Sequence, residues 1–167
     1  MDKLKPTDYF KPYLVNEIIA EGQFSRIYYI DETKVMRASL TPIDGFRMLL
    51  ELTDEEREIY NLPKIYHFDE NHDFCIMERL YNIEDNFFSN VLRYRYDNFN
   101  KFYLIPNDED IRIRKLLNKL LDLKEVMNSW GAGFTLDVST KNIMCRLDGT
   151  PVLASPIGEV YPLRWVS

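Results

Sequence analysis

The sequence predicts an α+β domain of two lobes, an antiparallel sheet followed by helices and a closing β-hairpin. Three observations carry this. Short apolar runs separated by turn residues fill the first half of the chain. A long stretch with apolar positions three and four apart dominates the second half. An Asp148-Gly149 turn then joins two further apolar runs. Strands first and helices later, without βαβ alternation, is the pattern of an α+β domain.

Taken in order, Tyr13 to Ala20 reads as a strand ending at the Glu21-Gly22 turn, and Phe24 to Ile30 as its partner. Asp31-Glu32-Thr33 turns the chain into a third strand, Lys34 to Ser39, which completes a meander. Asp44 to Leu52 has helical spacing, with Phe46, Leu49 and Leu50 on one side. Thr53 is an N-cap followed by Asp54, Glu55 and Glu56, which complement the helix dipole, and Leu62-Pro63 stops that helix. Lys64 to Phe68 and Phe74 to Leu80 read as two more strands around a polar turn, Asp69 to Asp73.

Glu84 to Asn98 reads as an aromatic-rich helical stretch. Asp108 to Trp130 is the clearest helix, with Ile113, Leu116, Leu117, Leu120, Leu121, Leu123 and Met127 forming its apolar face. Asn107 or Asp108 can cap it, and Gly131 ends it. Ile143 to Leu147 and Pro151 to Ala154 are the strands of the hairpin. One domain over 1–167 is expected, with an N-lobe over about 10–80 and a C-lobe over about 81–167.

Composition narrows the function. Apolar residues at 46% and charged residues at 29% describe a soluble globular chain. A net charge of −6 argues against a nucleic-acid binder, because phosphate contacts need a basic face. No apolar run is long enough to span a membrane, and the first residues, M-D-K-L-K-P-T-D, lack the apolar centre of a signal peptide. The expected location is therefore the cytosol. Cys75 and Cys145 lie in apolar strands and read as free thiols. His67 and His72 have no second ligand at metal spacing, so no metal site is expected.

Three stretches align in order with one family. I-I-A-E-G-Q-F-S-R-I-Y, followed by K-V-M-R, resembles a glycine-rich loop and the strand that carries a phosphate-pairing Lys. L-P-K-I-Y-H-F and F-C-I-M-E-R-L resemble the fourth and fifth strands and the hinge. L-D-V-S-T-K-N-I-M, then V-L-A-S-P, resembles the catalytic loop and metal-binding motif of protein kinases. The ordered set is most similar to the small early serine/threonine protein kinases of bacteriophages, over roughly residues 14 to 157. It implies a minimal protein-kinase-like fold, with a five-stranded N-lobe sheet and a truncated helical C-lobe bearing a β-hairpin.

The resemblance also assigns sites. Asp137 becomes the base, Asn142 the magnesium ligand, and Lys141 lies between them. The nucleotide positions become Ala20, Gly22, Phe24 and Ser25 in the loop, Arg37 on the third strand, Met77, Glu78 and Leu80 at the hinge, and Ser155 at the metal position. Departures from the family pattern run through this set. Ala20 and Ser25 replace glycines, Arg37 replaces Lys, Thr135 and Leu136 replace the His and Arg before the base, and Ser155 replaces an Asp. Arg is bulkier and planar, and a neutral hydroxyl does not balance a magnesium ion. The chain ends at Ser167, so no activation segment or helical substrate platform is expected.

Alternatives stay open at several positions. Asp137 and Asn142 are either catalytic or loop-fixing. Arg37 either binds phosphate or pairs with an inter-lobe carboxylate; Glu51 is the choice for a helix glutamate to pair with it. The aromatic run from Phe87 to Tyr103 is either core or a partner-binding face centred on Arg93, Tyr94, Arg95 and Tyr96. The leading expectation is a phage-encoded pseudokinase in the host bacterial cytoplasm, binding a host protein without phosphoryl transfer. The alternatives are an active minimal kinase using ATP and magnesium, and an ATP-binding sensor without transfer activity.

Overall fold

The computed structural model describes residues 6–83, 92, 94, 111–130 and 135–158. Five strands form one antiparallel sheet: β1 Ile18–Glu21, β2 Ser25–Tyr29, β3 Lys34–Ser39, β4 Ile65–Phe68 and β5 Phe74–Glu78, in the order β1-β2-β3-β5-β4. The expected meander and the return of the last two strands into the same sheet are both present. Between β3 and β4 lie a 3-10 helix, Gly45–Glu51, and the short helix α1, Asp54–Ile59. After the sheet come β6 Tyr81–Asn82, the long helix α2 Ile111–Ser129, and the hairpin β7 Ile143–Cys145 and β8 Pro151–Leu153.

Both faces of the sheet are covered, which explains why β3 and β5 are apolar almost throughout. Alternation along β3 sends Met36 and Ala38 to one face, with Ile76 of the neighbouring β5. There Phe10 covers them, its ring stacked 5.7 Å from Phe74. Val35, Cys75 and Met77 share the main core with Phe46, Leu49 and Leu50 of the 3-10 helix, Leu116, Leu117 and Leu120 of α2, and Ile143 and Leu153 of the hairpin. One continuous core therefore joins the sheet, the long helix and the hairpin.

Several local expectations need correction. Tyr13 does not begin a strand: Lys11–Val15 is a 3-10 helix with Pro12 in its first turn, and β1 starts at Ile18. Asp44 to Leu52 is 3-10 rather than α-helical. Its start is fixed by the Asp44 carboxylate accepting from Phe46 N at 3.1 Å, and its end by the Arg57 guanidinium donating to the Leu49 and Leu52 carbonyls at 3.0 and 2.6 Å. Such side-chain bonds at both ends hold a short tight helix that propensity alone would not. Tyr81–Asn82 was expected to lead into helix, yet it pairs with β7 and makes the hairpin a three-stranded sheet.

α1 starts where expected, with Thr53 and Glu56 forming a reciprocal capping box. It ends at Asn61, whose φ of 53° is one the short amide side chain tolerates. Within α2 the expected apolar positions are buried, Leu121 less completely than the rest. The helical stretch Glu84 to Asn98 lies outside the described residues except at Leu92, which is buried, and Tyr94, which is exposed. Asn107, Asp108 and Gly131, the expected ends of α2, lie outside them too. No helix among the described residues is long and apolar enough to cross a membrane.

Burial in this core pushes the Cys75 thiol up to about 12 from 9.0. A raised pKa means that the folded state holds the proton more tightly. The stability linked to Cys75 is thus intact below pH 9 and declines as the pH rises from 9 towards 12. Iodoacetamide at neutral pH is expected to label the half-buried Cys145 and to spare Cys75 until the chain unfolds. Peptide mass spectrometry of native and urea-treated protein reads this directly; equal labelling of both in the native state would contradict the burial.

Candidate functional site

A cleft of about 720 Å³ opens between the sheet and the hairpin. Its roof is the β1–β2 turn with Ile27, Val35 and Arg37; its back is Met77 to Asn82; its floor is Met144, Ala154 and Ile157. Asp137, Lys141, Asn142 and Ser155 line its mouth. Every residue expected from the loop, the hinge and the catalytic motif therefore lines one cavity: Ala20, Gly22, Phe24, Ser25, Arg37, Met77, Glu78, Leu80, Asp137, Lys141, Asn142 and Ser155. Of the expected interface set, Tyr94 does not line the cavity. Arg93, Arg95 and Tyr96 lie outside the described residues, and Tyr94 is exposed on its helix.

Arg37 reaches the cleft because the period of β3 places it on the same face as Val35. It is buried, and its two terminal guanidinium nitrogens donate to the two Asp44 carboxylate oxygens, at 2.5 Å and 3.0 Å. Asp44 also accepts from the Ser39 hydroxyl at 2.5 Å, while the guanidinium stacks 3.9 Å above the Phe46 ring. These partners engage the fork of the Arg and cover its face. The carboxylate paired with Arg37 is thus Asp44 and not Glu51, which faces His72 at 3.3 Å. Asp44 was missed as the partner, although an Asp just before the apolar G-F-R-M-L-L run carries the N-cap signal that fixes its place.

At the hinge, Glu78 is buried and accepts two parallel bonds from Arg146, both 2.9 Å, and one from Lys64 N at 3.0 Å. The Glu78 contact raises the Arg146 pKa further above its ordinary value, by hydrogen bonding first. Its side chain is therefore a tie between the sheet and the hairpin. A second tie is Asn61, whose carbonyl accepts from Leu153 N at 2.8 Å and whose amide donates to the Pro151 carbonyl at 3.0 Å. Neither Arg146 nor Asn61 stood out in the sequence; long-range partners leave no local signature.

The mouth is held by its own backbone. Asn142 N donates to the Ser139 carbonyl, and the Asn142 amide to the Asp137 carbonyl at 3.3 Å. Asp137 Oδ1 accepts from Ser139 N at 3.2 Å, the turn-fixing bond expected of a loop Asp. Ala154 N donates to the Asn142 carbonyl at 2.7 Å, which sets Ser155 beside the Asp137–Asn142 loop. The set Asp137, Asn142 and Ser155 offers one carboxylate, one amide and one hydroxyl. A magnesium ion on phosphates takes one or two protein carboxylates, and Asp137 is the single one in this set.

The loop over the cleft is closed on itself. Gly22 N donates to the Ser25 carbonyl at 2.9 Å, so this N–H bonds within its own turn. A Cβ at Gly22 would meet nothing within 4 Å, and its φ is not in the left-handed region. The glycine is therefore not demanded by sterics here.

No protein-family model matches the chain, and no curated protein matches it. Among solved structures the chain is similar to that of the streptomycin-ATP-APH(2″)-IIa ternary complex, at 15% identity and a TM-score of 0.37, over 95% of this chain and 73% of that one. The architecture is established by the strand order and register described above, not by this likeness.

Asp44→Ala is expected to strand the buried Arg37 charge and to cost about 3–5 kcal/mol, the range for breaking a buried pair. Adding Arg37→Met should then recover most of that loss. Urea unfolding of the two single variants and the double variant measures the coupling; additive losses would show that the pair is not a unit.

Proposed function

We infer that this chain is a kinase-like pseudoenzyme, a binding domain that retains the cleft of a phosphotransferase and does not transfer phosphate. The observation that carries the reading is Ser155, beside Asn142 through the Ala154–Asn142 bond, where the resemblance calls for the metal-binding Asp. Phosphoryl transfer relies on positioning and on neutralising charge at the phosphate. The loop N–H of Gly22 is bonded internally, and Asp137 is the single carboxylate among the residues at the mouth, so with Asp137 as base none of them is left for a metal. Parts that act as a unit do not contribute additively, so the loss of one costs more than its share.

A binding role fits the rigidity of the cleft. The Glu78–Arg146 tie holds the sheet to the hairpin, and the Asn61–Pro151 tie holds the turn after α1 to it. The apolar roof and floor, Ile27, Val35, Met77, Met144 and Ile157, leave space for a flat ligand or an inserted side chain. The resemblance to phage kinases makes a bacterial host protein the partner class, with the host cytoplasm as the location. That part of the reading rests on the resemblance alone.

In a radiolabelled-ATP assay, wild-type protein is expected to show no autophosphorylation and no transfer to a generic substrate. Asp137→Ala should be indistinguishable from it. Label transfer by wild type that disappears in Asp137→Ala would establish the active-kinase alternative and end this reading.

A further inference from the structure

We propose that a second pocket, sharing no residue with the inter-lobe cleft, binds a phosphate-bearing small molecule. The pocket has a volume of about 510 Å³ and lies where α2 meets the Asn61 turn and the start of β8 at Pro151. Three cations line it, Arg112, Lys115 and Lys119, at the three- and four-residue spacings that put them on one face of α2. Like charges at those spacings repel each other. This cluster stands on a chain whose net charge is −6.

The charged side chains that line the pocket are all cations. Lys119 Nζ donates to the Ile59 carbonyl at the end of α1, which anchors the ammonium and leaves two of its three N–H groups. Arg112 is already engaged. Lys115 makes no ion pair or hydrogen bond among the described residues, and Asn118 adds an amide. The nearby carboxylates Glu58 and Asp148 act on Arg146 and do not line the pocket. Thr150, on the rim, binds the Asp148 carboxylate through its N–H at 2.9 Å and its hydroxyl, holding that acid below the usual carboxylate range.

A multiply charged, acceptor-only group matches three cations around a small cavity. A phosphate supplies three oxygens and close to two charges, where a single carboxylate supplies one charge. The volume lies within the range of small-molecule sites, so the ligand is a compact phosphate compound. The pocket is separate from the cleft, and its occupancy does not depend on whether the cleft transfers phosphate.

The probe is pyrophosphate, titrated into the full chain with backbone amide NMR as readout and chloride at matched ionic strength as control. The expected result is saturable shifts over residues 112–119 and 150, absent with chloride. The exposed pair Arg112→Gln and Lys115→Gln should weaken binding by about tenfold or more without changing the melting temperature. If the double variant loses its native spectrum, Lys115→Gln alone serves for the comparison. A nucleoside triphosphate arm separates sources: shifts at 112–119 assign the pocket to any polyphosphate, and shifts only with pyrophosphate assign it to the unesterified anion. Shifts that are absent, centred on residues 137–142, reproduced by chloride, or retained in the variants would overturn the proposal.

Discussion

The buried pair of Arg37 and Asp44 is the constraint on which the arrangement of the cleft depends. An Arg on the core face of a central strand requires a carboxylate, because an uncompensated guanidinium in that environment is strongly destabilising. Asp44 meets the requirement and also caps the 3-10 helix at Phe46. The helix start is therefore fixed relative to β3. Gly45 follows at once, and a Cβ there would overlap the Ile157 and Gly158 carbonyls, so the backbones touch. Gly158 N in turn donates to the Thr135 carbonyl, and Asp137 N to the Pro156 carbonyl, both at 2.7 Å. One ion pair on the sheet thus sets the position of the Asp137 loop through an unbroken series of backbone contacts.

The same chain of contacts separates placement from chemistry. Arg37, Met77, Glu78, Leu80, Asp137, Asn142 and Ser155 surround one cavity. Arg37 presents its guanidinium to a carboxylate and an aromatic ring, and Ser155 contributes a neutral hydroxyl. A scaffold held this firmly by Glu78–Arg146 and Asn61 suits recognition, which rewards preorganisation.

Much of the sheet was legible because its signals are local. Short apolar runs between polar turns located β2 to β5, and the three-and-four spacing located α2. The capping box at Thr53 and Glu56 is visible in the sequence for the same reason. What was not legible depends on partners distant in the chain. The start of β1 was misplaced because Pro12 sits among residues of strand-like composition. β6 was missed because two residues become a strand only when β7 lies beside them. Arg37 was readable as a cation in need of a carboxylate, yet the choice between Asp44 and Glu51 turns on whether the intervening segment is a 3-10 helix. The Arg146 and Asn61 ties follow from packing alone.

The claim that a kinase-like cleft here binds without metal-assisted transfer is tested most directly by calorimetric titration of ATP with and without magnesium. A carboxylate-poor mouth gains little from the ion, so any affinity for ATP should be the same in both conditions. Micromolar binding that requires magnesium would contradict the account and place the chain among working phosphotransferases.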